Sequence, residues 1–159
     1  MAAKKKRKKR KKRIVRKKSF WNDTRLVYGL IGVLVVTILA FIPSLQNEFV
    51  NWDDDVNLLE NPNLNDFTWE YIKAIFTDTV IGNYNPLTIF SFAVEKHFFG
   101  LNPTVYHLNN LILHLICTYF VYRILYELKL GFWGTLFGTL LFSIHPMRVE
   151  SVAWVTERK

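Results

Sequence analysis

The chain has 159 residues, half of them apolar and 16% aromatic, with 21 Lys/Arg against 13 Asp/Glu. The formal charge of +8 averages two opposite regions: residues 1–18 carry thirteen Lys/Arg and no acid, and residues 19–159 carry eight Lys/Arg against thirteen acids, a net −5. The single cysteine, Cys117, excludes an internal disulfide, and apolar residues gathered in long blocks exclude a soluble domain built from short periodic segments.

The first 25 residues read as a basic cytoplasmic tail without a fixed fold. Composition alone would also suit a nuclear-localisation or nucleic-acid patch. However, Arg25 stands at the start of an apolar run and no aromatic residue interleaves the lysines. The expectation is therefore a topogenic tail held on anionic lipid, and no nucleic-acid partner.

Residues 26–42, LVYGLIGVLVVTILAFI, hold no charge and are followed by Pro43. With interfacial ends, a first transmembrane helix is expected over 26–45. A cleaved signal peptide fits less well, because Ile42-Pro43-Ser44-Leu45 lacks a small-x-small cleavage pattern. Fourteen Lys/Arg precede this run and none lies between Leu26 and Ile72. The positive-inside rule then puts the N-terminus in the cytoplasm.

Residues 46–104 become an extracytoplasmic acidic loop, with nine acids against Lys73 and Lys96, a net −7. Its densest charge is Asp53-Asp54-Asp55, directly after Trp52. Adjacent carboxylates repel and raise the proton affinity of at least one of them, which suits a general base acting on a hydroxyl. In an extended backbone Asp53 and Asp55 would face one way and Asp54 the other, leaving a spare acid to cap a turn or bind a cation. A solvated acidic turn explains the same residues without chemistry. Further along, a short helix starts near Thr68, capped by Asp66 or Thr68, with Trp69, Ile72, Ile75 and Phe76 at helical spacing. Leu87–Val94 is apolar but too short to span. It reads either as an interfacial helix with Phe90, Phe98 and Phe99 in the headgroup region, or as a helix packed on a protein core.

A second span is expected over 105–128. His107 and His114 share one face of it with Asn110 between them, a polar stripe that suggests helix contacts or a cavity more than a metal. A third span is expected over 130–146, with Gly134 and Gly138 as a close-packing GxxxG. Residues 147–159 then begin a second extracytoplasmic segment. There His145, Arg148 and Glu150 meet at a membrane boundary, where such groups are costly unless paired or functional. Arg148 and Arg158 would suit a phosphate, whereas interfacial anchoring, with Trp154 in the aromatic belt, is the plainer alternative.

In order, these motifs are a basic start, one span, the acidic run after Trp52 with Asn61-Pro62, and the segment Tyr84–Thr88. After them come Gly100–Asn110 and His145–Glu150. The set resembles the start of the transmembrane and tetratricopeptide-repeat proteins, relatives of the protein O-mannosyltransferases with the GT-C fold, over residues 25–159. The resemblance implies an all-α membrane protein, the N-terminal portion of a GT-C-like fold: three transmembrane helices with a structured outer loop. It implies sugar transfer from a polyprenyl-phosphate donor to a protein or lipid hydroxyl. Asp53 and Asp54 would be catalytic acids, and Arg148, His145 and Glu150 would lie at the donor phosphate. Asp55, Tyr84, His107 and His114 would be acceptor or cavity contacts, and a divalent cation is the cofactor left open. Asn85 stands where many relatives carry Arg, which removes one phosphate contact. The chain ends without further spans or repeats, so it is expected to be an N-terminal fragment, inactive alone. The alternatives are a non-catalytic membrane anchor or assembly module and, more weakly, a transporter fragment. The expected location is a bacterial inner membrane, with the endoplasmic reticulum as the alternative.

Overall fold

The computed structural model describes residues 20–80 and 82–158, and the regular elements among them are helical, with one isolated bridge between Val80 and Asn83. The basic run over residues 1–18, with its lipid-facing reading, lies outside the described residues. Helix α1 (Thr24–Phe41) begins at Asp23, whose side chain accepts a hydrogen bond from the Arg25 amide at 3.2 Å. It continues through a 3-10 segment, Ile42–Gln46, tightened by Pro43. Helices α2 (Trp69–Thr77) and α3 (Pro86–Phe99) lie between the long helices. Helix α4 (Pro103–Glu127) is followed by α5 (Gly131–Ser143) and α6 (Arg148–Ala153), and a 3-10 turn over Val155–Glu157 completes the order.

The long helices are patterned inside out. Ile31, Val35 and Leu39 of α1 and Ile112, Ile116 and Phe120 of α4 are exposed, while Thr37, His114 and Thr118 are buried. In water, so much contiguous apolar surface would be covered by a partner or would aggregate; in a bilayer it faces lipid, and small polar residues mediate helix contacts. The stretches Thr24–Gln46, 23 residues, and Pro103–Glu127, 25 residues, are long and apolar enough to cross. At about 1.5 Å per residue each reaches roughly 35 Å, against a hydrocarbon core of about 30 Å. The chain is an integral membrane protein.

The expected third span is not found. Helix α5 has 13 residues, so it reaches only about 20 Å. Its start is set by a sharp corner in which Lys129 (φ 63°) and Gly131 (φ 74°) both take left-handed conformations. It ends at Ser143, whose carbonyl meets His114 of α4 at 2.8 Å. The helix turns Thr135, Thr139 and Ser143 inward and Trp133, Phe137 and Leu141 outward. The architecture is thus two candidate spans and a shorter apolar helix packed beside them, and the three-span, GT-C-like description does not hold.

Close packing uses Gly138 of the GxxxG pattern, where an added Cβ would lie 2.9 Å from Leu125 of α4, and one glycine outside the pattern, Gly29. A Cβ on Gly29 would lie 2.7 Å from the Tyr122 hydroxyl and 3.0 Å from a Phe132 ring carbon. Tyr122 is fully buried and its hydroxyl donates to the Leu26 carbonyl at 3.0 Å, so it has little room to yield. Gly29→Val is expected to destabilise the bundle by about 1–3 kcal/mol, read as a lower melting temperature in detergent micelles. Gly32→Val, with open space at its Cβ, serves as the control.

Between the spans the chain folds into a small module with its own core. Leu58, Leu64, Ile75, Ile89, Phe92 and Ala93 pack together with Tyr106 from α4 and Val155 from the 3-10 turn after α6. Helix α2 follows Thr68 as expected, although the Thr68 side chain makes no capping bond and Trp69 points to solvent. Helix α3 absorbs Leu87–Val94 and buries Ile89, Phe92 and Ala93, so that segment packs on a protein core. Phe90 packs against the same core, while Phe98 and Phe99 stay exposed.

Candidate functional site

The acidic run is not extended. Asp54 has helical angles (φ −66°, ψ −34°), and a single π-turn follows over Asp55–Leu59, closed by the Glu60 amide on the Asp55 carbonyl at 2.7 Å. Successive helical side chains diverge by about 100°. Asp54 is completely buried, while Asp53 and Asp55 stay half-buried. One Asp54 oxygen accepts from Trp154 Nε1 (3.1 Å), the Thr156 amide (3.2 Å) and the Thr156 hydroxyl (2.8 Å). The other accepts from the Val50 amide at 3.0 Å. Four donors converge on one carboxylate, three of them from residues at least 100 positions away. Asp54 therefore fastens the module to the segment after α6. Trp154, expected in an aromatic belt, is one of the donors, and its ring lies 6.0 Å from that of Trp52.

A second polar centre lies close to the first. Arg158, expected at a phosphate, is withdrawn into the protein with its side chain only 5% exposed. Its guanidinium donates to Glu95 Oε1 (2.6 Å), the Ser91 hydroxyl (2.8 Å), the Tyr106 carbonyl (3.0 Å) and Asn110 Oδ1 (2.5 Å). It also rests 4.8 Å from the centre of the Phe92 ring. The Asn109 amide donates to Glu95 as well, and the Asn110 amide reaches the Trp154 carbonyl at 3.0 Å. Burial raises the Glu95 carboxyl above its ordinary 4.5, while Arg158 and Asn109 pull it back in part. Glu95 sits on α3, Asn109 and Asn110 on α4, and Arg158 beyond α6, so this centre joins three elements.

The other expected site residues are dispersed. Arg148 lies half-exposed, 5.0 Å from the centre of the Phe142 ring, beside a cleft of about 510 Å³ that His145 and Leu141 also line. His145 is exposed and its Nδ1 accepts from the Met147 amide at 3.2 Å; Glu150 is exposed. The Tyr84 hydroxyl donates to the Phe76 carbonyl at 3.0 Å and secures the turn after α2. His107 is buried beside the backbone of Asn47 and Glu48, and His114 between Phe41 and Phe142. Among the described residues no group of three His, Cys, Asp or Glu could hold a metal ion. The acidic run does not gather around a common point, so the residues present do not fit the divalent cation left open by the sequence.

Glu95, Ser91, Asn109 and Thr156 carry no local signal that would single them out, whereas Asn110 stands in the polar stripe of α4 between His107 and His114. The nearest clue was Arg158, a cation on a side where the positive-inside rule expects few.

No family model matches the chain, and no solved structure matches it. Among curated proteins it is similar to "Protein O-mannosyl-transferase Tmtc1" of Drosophila melanogaster, 28% identical over 141 residues covering 82% of this chain. It is 32% identical over 133 residues, 76% of this chain, to "Protein O-mannosyl-transferase TMTC1" of Homo sapiens. It is 25% identical over 143 residues to "Protein O-mannosyl-transferase F38B6.6" of Caenorhabditis elegans. The chain spans only 16%, 15% and 21% of those three proteins, respectively. It is a distant homologue of these proteins over a small part of their length.

Proposed function

We propose that this distant homologue of the protein O-mannosyl-transferases is a non-catalytic membrane anchor and assembly module of a longer tetratricopeptide-repeat protein. Its two spans hold the acidic inter-span module outside the cytoplasm, an orientation supported by the thirteen Lys/Arg before α1. One observation carries this reading. Asp54, one of the two expected catalytic acids, and Arg158, one of the two cations that would suit a phosphate, are buried, and each is engaged in four hydrogen bonds. A base must reach the proton that it removes. Neither group has an approach.

A second reading is favoured by the relatives' names and by the placement of Asp53. In it, the longer protein transfers a sugar from a polyprenyl phosphate to a protein or lipid hydroxyl. Half-buried Asp53 is then the base, and Arg148, with His145 and Glu150 near it, meets the donor phosphate at the apolar cleft. Asp55 and Tyr84 would lie toward the acceptor.

The two readings separate in the full-length protein reconstituted in bilayers. Mannose transfer from a polyprenyl-phosphate donor and protease resistance of residues 46–104 are measured for Asp53→Asn and Arg148→Gln. The anchor reading expects both quantities to match the parent. Loss of transfer with resistance intact, in either variant, overturns it in favour of the second.

A further inference from the structure

We propose that the corner between α3 and α4 is a phospholipid-binding wedge. Phe98, Phe99 and Leu101 enter the acyl region of the adjoining leaflet. A zwitterionic headgroup occupies the cleft behind them, phosphate toward Lys96 and amine toward Asp66.

The three apolar side chains are 67%, 61% and 46% exposed and nearly consecutive, unlike the single exposed apolar residues usual on a surface. Their depth is set by the span itself. Gly100 (φ 65°) turns the chain between the helices, and its carbonyl accepts from the Tyr106 hydroxyl of α4 at 3.2 Å. The corner is thus tied to the first turn of a spanning helix. The exposed apolar strip of α4 begins at Leu108, five residues past Pro103, or about 8 Å along the axis. That distance is close to the depth of one headgroup layer, roughly 5–8 Å. A corner fixed there lies at the headgroup layer, with the acyl region within reach of its apolar side chains.

The cleft supplies the second, independent observation. A cavity of about 350 Å³ lies behind the wedge, lined by Asp66, Phe67, Lys96 and His97 and by Gly100 and Leu101. His97 is held flat on Phe67 with ring centres 4.7 Å apart. Lys96 forms no ion pair with another described residue. One cation and one carboxylate lining such a cleft match a headgroup that carries both signs, and a Lys beside apolar side chains can extend toward the phosphate layer. The position differs from the Asp53 and Arg148 regions, so the wedge stands whether or not the longer protein transfers a sugar.

The test uses the full chain in phosphatidylcholine bilayers, with Cys117→Ser and a spin label on a single new cysteine. Labels at Phe98→Cys, at Ile116→Cys on the lipid face of α4 and at Glu70→Cys on the exposed side of α2 are compared for collision with oxygen and with a polar nickel chelate. Phe98 should resemble Ile116, with nickel collisions several-fold fewer than at Glu70. A Phe98 label as nickel-accessible as Glu70, with Ile116 shielded, overturns the wedge alone. Accessibility at Ile116 too would overturn the spanning assignment beneath it. For the cleft, native mass spectrometry from mixed bilayers should show phosphatidylethanolamine retained over phosphatidylglycerol, with the preference reduced several-fold in Lys96→Gln and in Asp66→Asn. Preference for phosphatidylglycerol or for a polyprenyl phosphate, or no change in either variant, overturns the headgroup assignment.

Discussion

Arg158→Met is expected to lower stability by about 3–5 kcal/mol, because removing one partner of a buried ion pair leaves the other charge buried without compensation. Glu95 would keep the Asn109 amide, but its strongest donor would be gone. The Ser91 hydroxyl, the Asn110 carbonyl oxygen and the Tyr106 carbonyl would each lose a hydrogen bond as well. Replacing both partners, as Glu95→Leu with Arg158→Met, should recover a large part of the loss, since an apolar pair of similar volume pays no desolvation cost. Denaturant unfolding of the four proteins in micelles closes the cycle. Additive single effects would show that the two side chains are not coupled. The pH dependence supplies a second readout. The native Glu95 carboxyl is raised above 4.5, so the folded state binds this proton more tightly than the unfolded state. Its contribution to stability is therefore greatest below about pH 4.5 and declines as pH rises toward the native value. Glu95→Gln should remove that slope. A slope of the opposite sign would mean that Arg158 outweighs burial at this site.

How much was readable beforehand follows from the distance over which each feature is determined. The crossings α1 and α4 were legible because hydropathy and length are local properties. The stretch from Leu130 to Pro146 is also uncharged, yet it fails as a span through backbone geometry. The corner at Lys129 and Gly131 consumes its start, and its helical hydrogen bonding ends at Ser143. Hydropathy alone cannot register either limit. Leu87–Val94 was ambiguous between lipid and protein because its partners Leu58, Leu64 and Ile75 come from elsewhere in the module. The acidic run was conspicuous, but its role depends on Trp154 and Thr156, about 100 residues later. Glu95 and Arg158, 63 residues apart, had no common local pattern to reveal them. Features fixed by a helical stretch could be read in advance, whereas those fixed by its packing could not.

The role of Asp54 follows from the same long-range contacts, and a conservative change tests it. All four of its partners are donors, and an ionised carboxylate meets them with acceptors only. In Asp54→Asn the amide oxygen can satisfy Trp154 and Thr156, but the amide nitrogen then faces the Val50 N–H, donor against donor. Reversing the amide would place three donors against its nitrogen instead. Either arrangement leaves buried donors unmet at about 1–3 kcal/mol, and charge-assisted bonds are lost besides, so a total near 3 kcal/mol is expected. Asp54→Ala should cost as much or slightly more. Asp55→Asn, at a half-buried position, should stay within about 0.5 kcal/mol of the parent. Trp154 provides a local probe. If Asp54 fastens the module, Asp54→Asn should alter its fluorescence and expose residues 46–104 to protease before the spans unfold. An Asp54→Asn protein with parental stability and protease resistance would release this carboxylate from its structural role and return it to the candidates for chemistry.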